Sequence, residues 1–262
     1  INLMRSRVLA LEKGDLNSKI DIITEDELGS LSATINTMIE NIKSLLNQKQ
    51  QLLSDVSHEL MSPLTRMQLL VELLPEHKNK IRLKNEILNL RNMILNLLLS
   101  DKLDVPYTNL ELEKVNFSLF LDRVIAKFPD PSSRIKVVGS LPDVIINIDE
   151  VKIGLALRNL IENAFKYGDN SQRVEISGTL DRGVLSVAIH NYGKEIPVDQ
   201  IELITKPFYR MKGGTSENIT GFGLGLSITK KIVEAHGAIL HIKSSSDDGT
   251  TVMIKLPSSM VS

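Results

Sequence analysis

The 262-residue sequence is 42% hydrophobic and 24% charged, a globular composition long enough for about two domains, which excludes a disordered or membrane-embedded chain. With 31 basic against 32 acidic residues and a net charge of -1, it lacks the bulk field of a nucleic-acid binder or an anionic-lipid binder, so no nucleic-acid partner is expected. The absence of cysteine removes disulfides, thiolate metal sites and thiol nucleophiles. No apolar run approaches the roughly 18 residues of a membrane span, and the chain opens on Ile1 without a signal-peptide core, so a fragment is expected, with any sensor and membrane anchor upstream.

Residues 1–47 read as a short helical piece, an extended Ile20-Asp21-Ile22-Ile23 and a helix start at Thr24-Glu25-Asp26-Glu27, where Thr24 and Glu27 have capping-box spacing. Beyond that start, Leu28, Ile35 and Ile42 recur every seven residues, and so do Leu31, Met38, Leu45 and Leu52. Two interleaved apolar heptads describe a coiled-coil seam, which one helix cannot bury alone, so a second copy of the chain is expected. The helix is predicted to run from about residue 27 to 74, to break at Pro75-Glu76-His77-Lys78-Asn79 with His77 as a solvated loop residue, and to be followed by another over about 80–102. The two form an antiparallel hairpin over 48–105, and two hairpins form a four-helix bundle.

Within the first helix lies Ser57-His58-Glu59-Leu60-Met61-Ser62-Pro63-Leu64. His58 falls off the stripe of Leu45, Leu52, Val56, Leu60, Leu64, Met67 and Val71, so its imidazole is expected to face outward. A neutral imidazole is a nucleophile when one nitrogen is free and the other is held as a donor, and Glu59 is placed to do the holding. Pro63 removes a backbone donor near Glu59 and is expected to bend the helix there. An exposed His-Glu pair is equally at home on an ordinary helix surface, so the choice between these readings depends on the rest of the chain.

From residue 106 the periodicity changes. Strands are predicted at 114–117, 135–138 and 144–148, helices at 118–128 and 150–167, and a loop at 128–131. A hairpin over 173–190 turns at Asp181-Arg182-Gly183, a helix opens at Gly221–Gly225 and reaches Ala235, and strands at 238–244 and 250–256 close the domain. This order predicts an α/β sandwich, one mostly antiparallel sheet with helices on one face.

Asn159, Asn163 and Lys166 stand four and three residues apart, so they share one face of the 150–167 helix. Amide oxygens suit a hard divalent cation shared with substrate phosphates, and Lys supplies a point charge for those phosphates. Gly221-Phe222-Gly223-Leu224-Gly225 places three glycines immediately before a helix, where successive backbone N-H groups and the helix N-terminus make a phosphate cradle. Residues 198–220 have the length and composition of a lid.

Together these stretches resemble sensor histidine kinases. The octet around His58 resembles their H box, with Met61 and Ser62 where Arg and Thr are common; residues 159–167 resemble the N box, Pro207-Phe208-Tyr209-Arg210 the F box, and 221–225 the G2 box. Asp26-Glu27-Leu28-Gly29 resembles the second half of a HAMP linker, although a plain helical connector explains the same pattern. The resemblance implies a partial HAMP linker and coiled coil at 1–47, a dimerisation and phosphotransfer hairpin at 48–105, and at 106–262 an ATP-binding domain of the kind shared with Hsp90 and gyrase. It implies autophosphorylation of His58 from ATP with Mg2+, Glu59 as its activator, and transfer to an aspartate on a response-regulator receiver domain. Ser62 would align water for dephosphorylating that partner, or be no more than a helix-surface Ser. For the nucleotide, the resemblance implies Asn163 as the Mg2+ ligand, Asn159, Lys166 and Arg210 near the phosphates, Tyr167 at the base or ribose, Phe208 anchoring the lid, and Gly221, Gly223, Leu224 and Gly225 around the phosphates. The chain would be the homodimeric cytoplasmic portion of an inner-membrane protein.

The G1 box departs from the family pattern, Asp-x-Gly-x-Gly: the chain reads Asn191-Tyr192-Gly193-Lys194-Glu195. Asn191 stands where a carboxylate accepts the adenine amino group, which is expected to weaken ATP binding by roughly 1 kcal/mol and to relax discrimination against a 6-oxo purine. Two rivals stay open: a dimeric ATP-sensing scaffold without kinase chemistry, and an ATPase of the gyrase or Hsp90 type, which leaves the His58 hairpin without a purpose.

Overall fold

The computed structural model describes residue 20 and residues 27–75, 77–104, 110–211 and 222–261. The chain divides into two compact units, Ile1–Thr108 and Asn109–Ser262.

The first unit is built on helices α1 (Glu27–Glu72) and α2 (Lys78–Asp104). α1 runs for 46 residues and passes through Pro63 without interruption, so the missing donor costs one ladder bond and not the helix. Leu64 and Val71 of α1 pack on Ile87 and Ile94 of α2, which fixes the hairpin. At the turn, His77 starts α2: its carbonyl accepts from Lys80 N at 2.9 Å and its Nδ1 from Asn79 N at 3.2 Å. The heptad stripe is otherwise uncovered, with Leu45 64% and Leu52 63% exposed in the single chain. Upstream, Asn36 brackets the backbone of buried Ile20, accepting from its N-H at 2.9 Å and donating to its carbonyl at 2.8 Å. The predicted cap at Thr24 lies outside the described residues. Among the described residues no helix is long and apolar enough to cross a membrane.

The second unit carries strands β1 (Glu113–Asn116), β2 (Ile135–Val137), β3 (Ile145–Ile148), β4 (Val174–Asp181), β5 (Val184–Asn191), β6 (Ile239–Ser245) and β7 (Gly249–Leu256). Its principal helices are α3 (Phe117–Ile125), α5 (Glu150–Tyr167) and α7 (Gly225–Ala235), with single turns α4 (Pro131–Arg134) and α6 (Val198–Ile201). Five strands form one sheet in the order β2-β4-β5-β7-β6, parallel only between β2 and β4. Strict alternation along β5 buries Leu185, Val187 and Ile189 on one face. α5 and α7 cover that face with Leu157, Ile161, Ile228 and Ile232, each at most 1% exposed. The β4–β5 turn has two residues, Arg182 and Gly183, both at positive φ (48° and 80°), as a primed hairpin turn requires.

Two features differ from the sequence expectation. β1 and β3 do not join the main sheet but pair antiparallel as a separate two-stranded sheet, extended by a bridge from Ile146 to Val261. The segment expected as a loop at 128–131 runs into α4, because Asp130 turns the chain at φ 48° and Pro131 then starts a helical turn.

Candidate functional site

On α1, His58, Glu59 and Ser62 are all exposed. Glu59 does not reach the imidazole, and neither side chain has a partner among the described residues. Ser62 behaves differently from its neighbours. The hydroxyls of Ser57 and Thr65 donate back to the carbonyls of Leu53 and Met61, whereas Ser62 Oγ accepts from Arg66 Nη1 at 2.8 Å. His58, Ser62 and Arg66, four residues apart, form one row along the helix. Arg66 therefore places a cation directly on Ser62.

In the second unit, α5 begins at Asp149, whose side chain accepts from Lys152 N at 3.0 Å as an N-cap. The helix carries Asn159 and Asn163 half-buried, and Lys166 and Tyr167 exposed at its end. α7 starts where α5 passes: Asn159 Nδ2 donates to Gly225 O at 3.3 Å. A Cβ placed on Gly225 would stand 3.8 Å from Asn159 Cγ and 3.9 Å from Asn163 Nδ2. The glycine therefore brings the start of α7 close against the two amides, and nothing in the fold itself forbids a side chain there.

Gly223 is constrained more tightly. Its φ is 70°, and a Cβ would come within 2.7 Å of Tyr209 O. Phe208, itself at φ 62°, donates its N-H to Gly223 O at 3.0 Å, so the segment carrying Phe208 is bonded to the glycine loop. Tyr209 is tethered in turn by a hydrogen bond from its hydroxyl to Gln200. Leu224 is buried, and Phe208 and Arg210 are exposed. Gly221 and residues 212–220 of the expected lid lie outside the described residues.

The end of β5 docks on the end of α5 through glycines. Gly193 bridges Gly168, Asp169 N donates to Tyr192 O at 2.5 Å, and a Cβ on Gly193 would meet Tyr167 O at 2.4 Å. Beside this contact Asn191 is 8% exposed, and its side chain has no hydrogen-bond partner among the described residues. Leaving such an amide unpaired costs about 1–3 kcal/mol, which a bound molecule offering complementary groups would recover. Asn191 also lines a cavity of about 140 Å³ with Phe165, Gly168 and Tyr192. The amides of Asn159 and Asn163 thus stand at the α7 N-terminus, whereas the Asn191 amide lies in a cavity that neither of them lines. Among the described residues no group of three or more acidic, His or Cys side chains is placed to hold a metal ion.

Sequence reasoning missed Gly168, Asp149 and His236. Gly168 follows Tyr167 directly and is fixed by close approach, since a Cβ would lie 2.5 Å from Ala164 O. An Asp before a helix start and a His-Gly pair after a helix end are signals for the other two.

Residues 148–260 match the family of histidine kinase-, DNA gyrase B- and HSP90-like ATPases, and the fold and site define this unit as a nucleotide-binding domain of that class. Residues 1–44 match the HAMP domain. Curated relatives include the heme sensor protein HssS of Staphylococcus haemolyticus, 26% identical over 98% of this chain and 58% of its own length. The sensor histidine kinase WalK of Bacillus subtilis is 28% identical over 96% of this chain and 44% of its own length. The chain thus spans about half the length of these relatives. Among solved structures, full-length ShkA in complex with AMPPNP superposes with a TM-score of 0.68 over 79% of this chain and 45% of that one, at 21% identity. The Acinetobacter baumannii histidine kinase AdeS gives 0.56 over 76% and 96%, at 19% identity. At such identities the likeness establishes the fold. Residues 148–260 thus match the histidine kinase-, gyrase B- and HSP90-like ATPases and residues 1–44 match HAMP, and over nearly its whole length the chain is similar to sensor histidine kinases.

Proposed function

We propose that this chain is the cytoplasmic region of an inner-membrane sensor histidine kinase, divided into a partial HAMP linker and coiled coil at 1–47, a dimerisation and phosphotransfer hairpin at 48–105 and an ATP-binding domain at 106–262. In this reading His58 accepts the γ-phosphoryl group of ATP. The observation that carries the proposal is the meeting of Gly225, at the head of α7, with Asn159 and Asn163. It joins a helix N-terminus to two side-chain amides, elements that suit a polyphosphate.

Asn163 would hold Mg2+ together with the phosphates, and the ion would supply neutralisation of charge on the transferring group. Asn159, Lys166 and Arg210 orient the phosphates; Gly221, Gly223, Leu224 and Gly225 line them; Phe208 anchors the lid. Tyr167, Asn191 and Gly193 form the base end. Little covalent chemistry falls to the protein in such a transfer, so positioning and charge supply most of the rate. Glu59 receives the imidazole proton once a donor complex brings the two together. The phosphoryl group then passes to an aspartate of a receiver domain, and Ser62, with Arg66 on its lone pair, has its hydroxyl proton free to orient water for the reverse dephosphorylation. Dimerisation covers the exposed stripe of α1.

Incubation with γ-labelled ATP and Mg2+ tests the proposal. The expected result is protein-bound label that is acid-labile and alkali-stable, as a phosphoramidate is. Nucleotide binding without label favours the scaffold, and steady ATP turnover without phosphoprotein favours the ATPase.

A further inference from the structure

His236 has no part in the chemistry described above, yet it is 5% exposed and both ring nitrogens are bonded. Nε2 faces the backbone N-H of Asp149 at 3.1 Å, a group that can only donate. Nδ1 faces the carbonyl of Ile232 at 2.7 Å, a group that can only accept. The bonding therefore fixes one protonation state, a neutral imidazole with its proton on Nδ1. The ring sits at the C-cap of α7, where Gly237 at φ 65° and the bond from Ala238 N to Val233 O close the helix. Its partner Asp149 is the N-cap of α5.

The same two helices carry the nucleotide cradle at their other contact. Asn159 lies about 15 Å along α5 from Asp149, and Gly225 lies about 17 Å along α7 from His236 at 1.5 Å per residue. The helices are therefore antiparallel and bonded at two matched points, Asp149 to His236 at one end and Asn159 to Gly225 at the other.

We propose that His236 is a positioning residue for the nucleotide site: as a neutral imidazole it staples the end of α7 to the start of α5 and so sets the register at which Gly225 meets Asn159 and Asn163. The inference rests on the nucleotide reading of that cradle. Protonation at Nε2 would set N-H against N-H and release the staple. The charged groups facing the ring are the Asp149 carboxylate and the Lys152 ammonium. That carboxylate already accepts from the Lys152 ammonium and amide and from Glu111 N, so it is not vacant to receive a new donor. Burial is the main influence on the imidazole and holds its pKa below the usual value.

The sign follows from that direction. Above the ordinary His pKa of about 6.5 the ring is neutral whether the staple is closed or open, and nucleotide affinity owes nothing to this group's titration. As pH falls below about 6.5 an opened His236 takes up a proton that the stapled one refuses, so affinity declines with acid.

The test is titration of the full chain with AMPPNP and Mg2+, from about pH 8 to about pH 5.5, for the wild type, His236→Gln and His236→Asn. The Gln amide oxygen can replace Nε2 as acceptor and does not titrate, so this variant should bind near the wild-type level at pH 8 and lose less affinity in acid. Asn keeps the donor towards Ile232 but orphans Asp149 N-H, and should bind about tenfold more weakly at pH 8, the size of one lost buried partner. Matching pH profiles for wild type and His236→Gln would overturn the proposal, as would wild-type affinity in a folded His236→Asn chain. Should the Asn variant fail to fold, the comparison of the other two still decides. A wild type that binds no nucleotide at pH 8 would bring down the nucleotide reading as well, whereas the other contrary outcomes count against the staple alone.

Discussion

The two units solve the burial problem in opposite ways. In the ATP-binding unit, Leu121, Ile148, Ile161 and Leu185 are fully buried within a single chain. In the helical unit Leu45, Leu52 and Met67 stand about half or more exposed, and the hairpin is held by a small cluster of Leu64, Val71 and Ile87 with Ile94 against it. The second unit thus buries its core within one chain, whereas the helical unit leaves the apolar stripe of α1 exposed in the single chain.

Several substitutions would break or sharpen this contrast. The largest effect belongs in the self-sufficient core: Ile161→Ala should destabilise the ATP-binding unit by about 2–5 kcal/mol, read as a lowered melting transition, while dimerisation through α1 persists. Next comes the seam. Leu52→Lys exchanges an exposed apolar side chain for a charge, and the dimer should weaken by about 2 kcal/mol or more per copy in sedimentation, with nucleotide affinity unchanged. Gly225→Ala separates fold from function inside one unit. Because a Cβ there meets only ordinary contacts at 3.8 Å and beyond, the melt should not move, yet calorimetric AMPPNP affinity should fall by at least about tenfold, near 1.4 kcal/mol. Smallest is Asn191→Asp, which should tighten ATP by about 1 kcal/mol and sharpen selection of ATP over GTP in competition.

Local signals carried much of this reading. The helix expected over 150–167 is observed with the bounds Glu150–Tyr167, although the Asp149 cap before it and Gly168 after it were not used to place it. The β4–β5 turn was likewise readable from Asp-Arg-Gly between alternating strands. What the sequence hid depends on long-range pairing. β1 and β3 lie some 30 residues apart in sequence and read as two more strands of the main sheet, because alternation says which face is buried and not which strand is adjacent. The separate sheet is decided by α3, which begins directly at Phe117, and by Val261 returning to Ile146. The same limit applies at the site: the glycine and Asn runs were legible as types, but the contact of Gly225 with Asn159, the solitary amide of Asn191 and the staple from His236 to Asp149 join residues 66 or more positions apart or depend on what surrounds a side chain. Glu59 shows the converse, since adjacency in sequence suggested a partner for His58 that the helix geometry does not bring to it.

The most direct test of the account is to map the phosphate after incubation with ATP and Mg2+, by mass spectrometry at neutral to alkaline pH, in the wild type and in His58→Gln. A single phosphoryl group on His58, absent from the variant while its AMPPNP affinity is unchanged, is the predicted result. Phosphate on another residue, or the same labelling in His58→Gln, would contradict it.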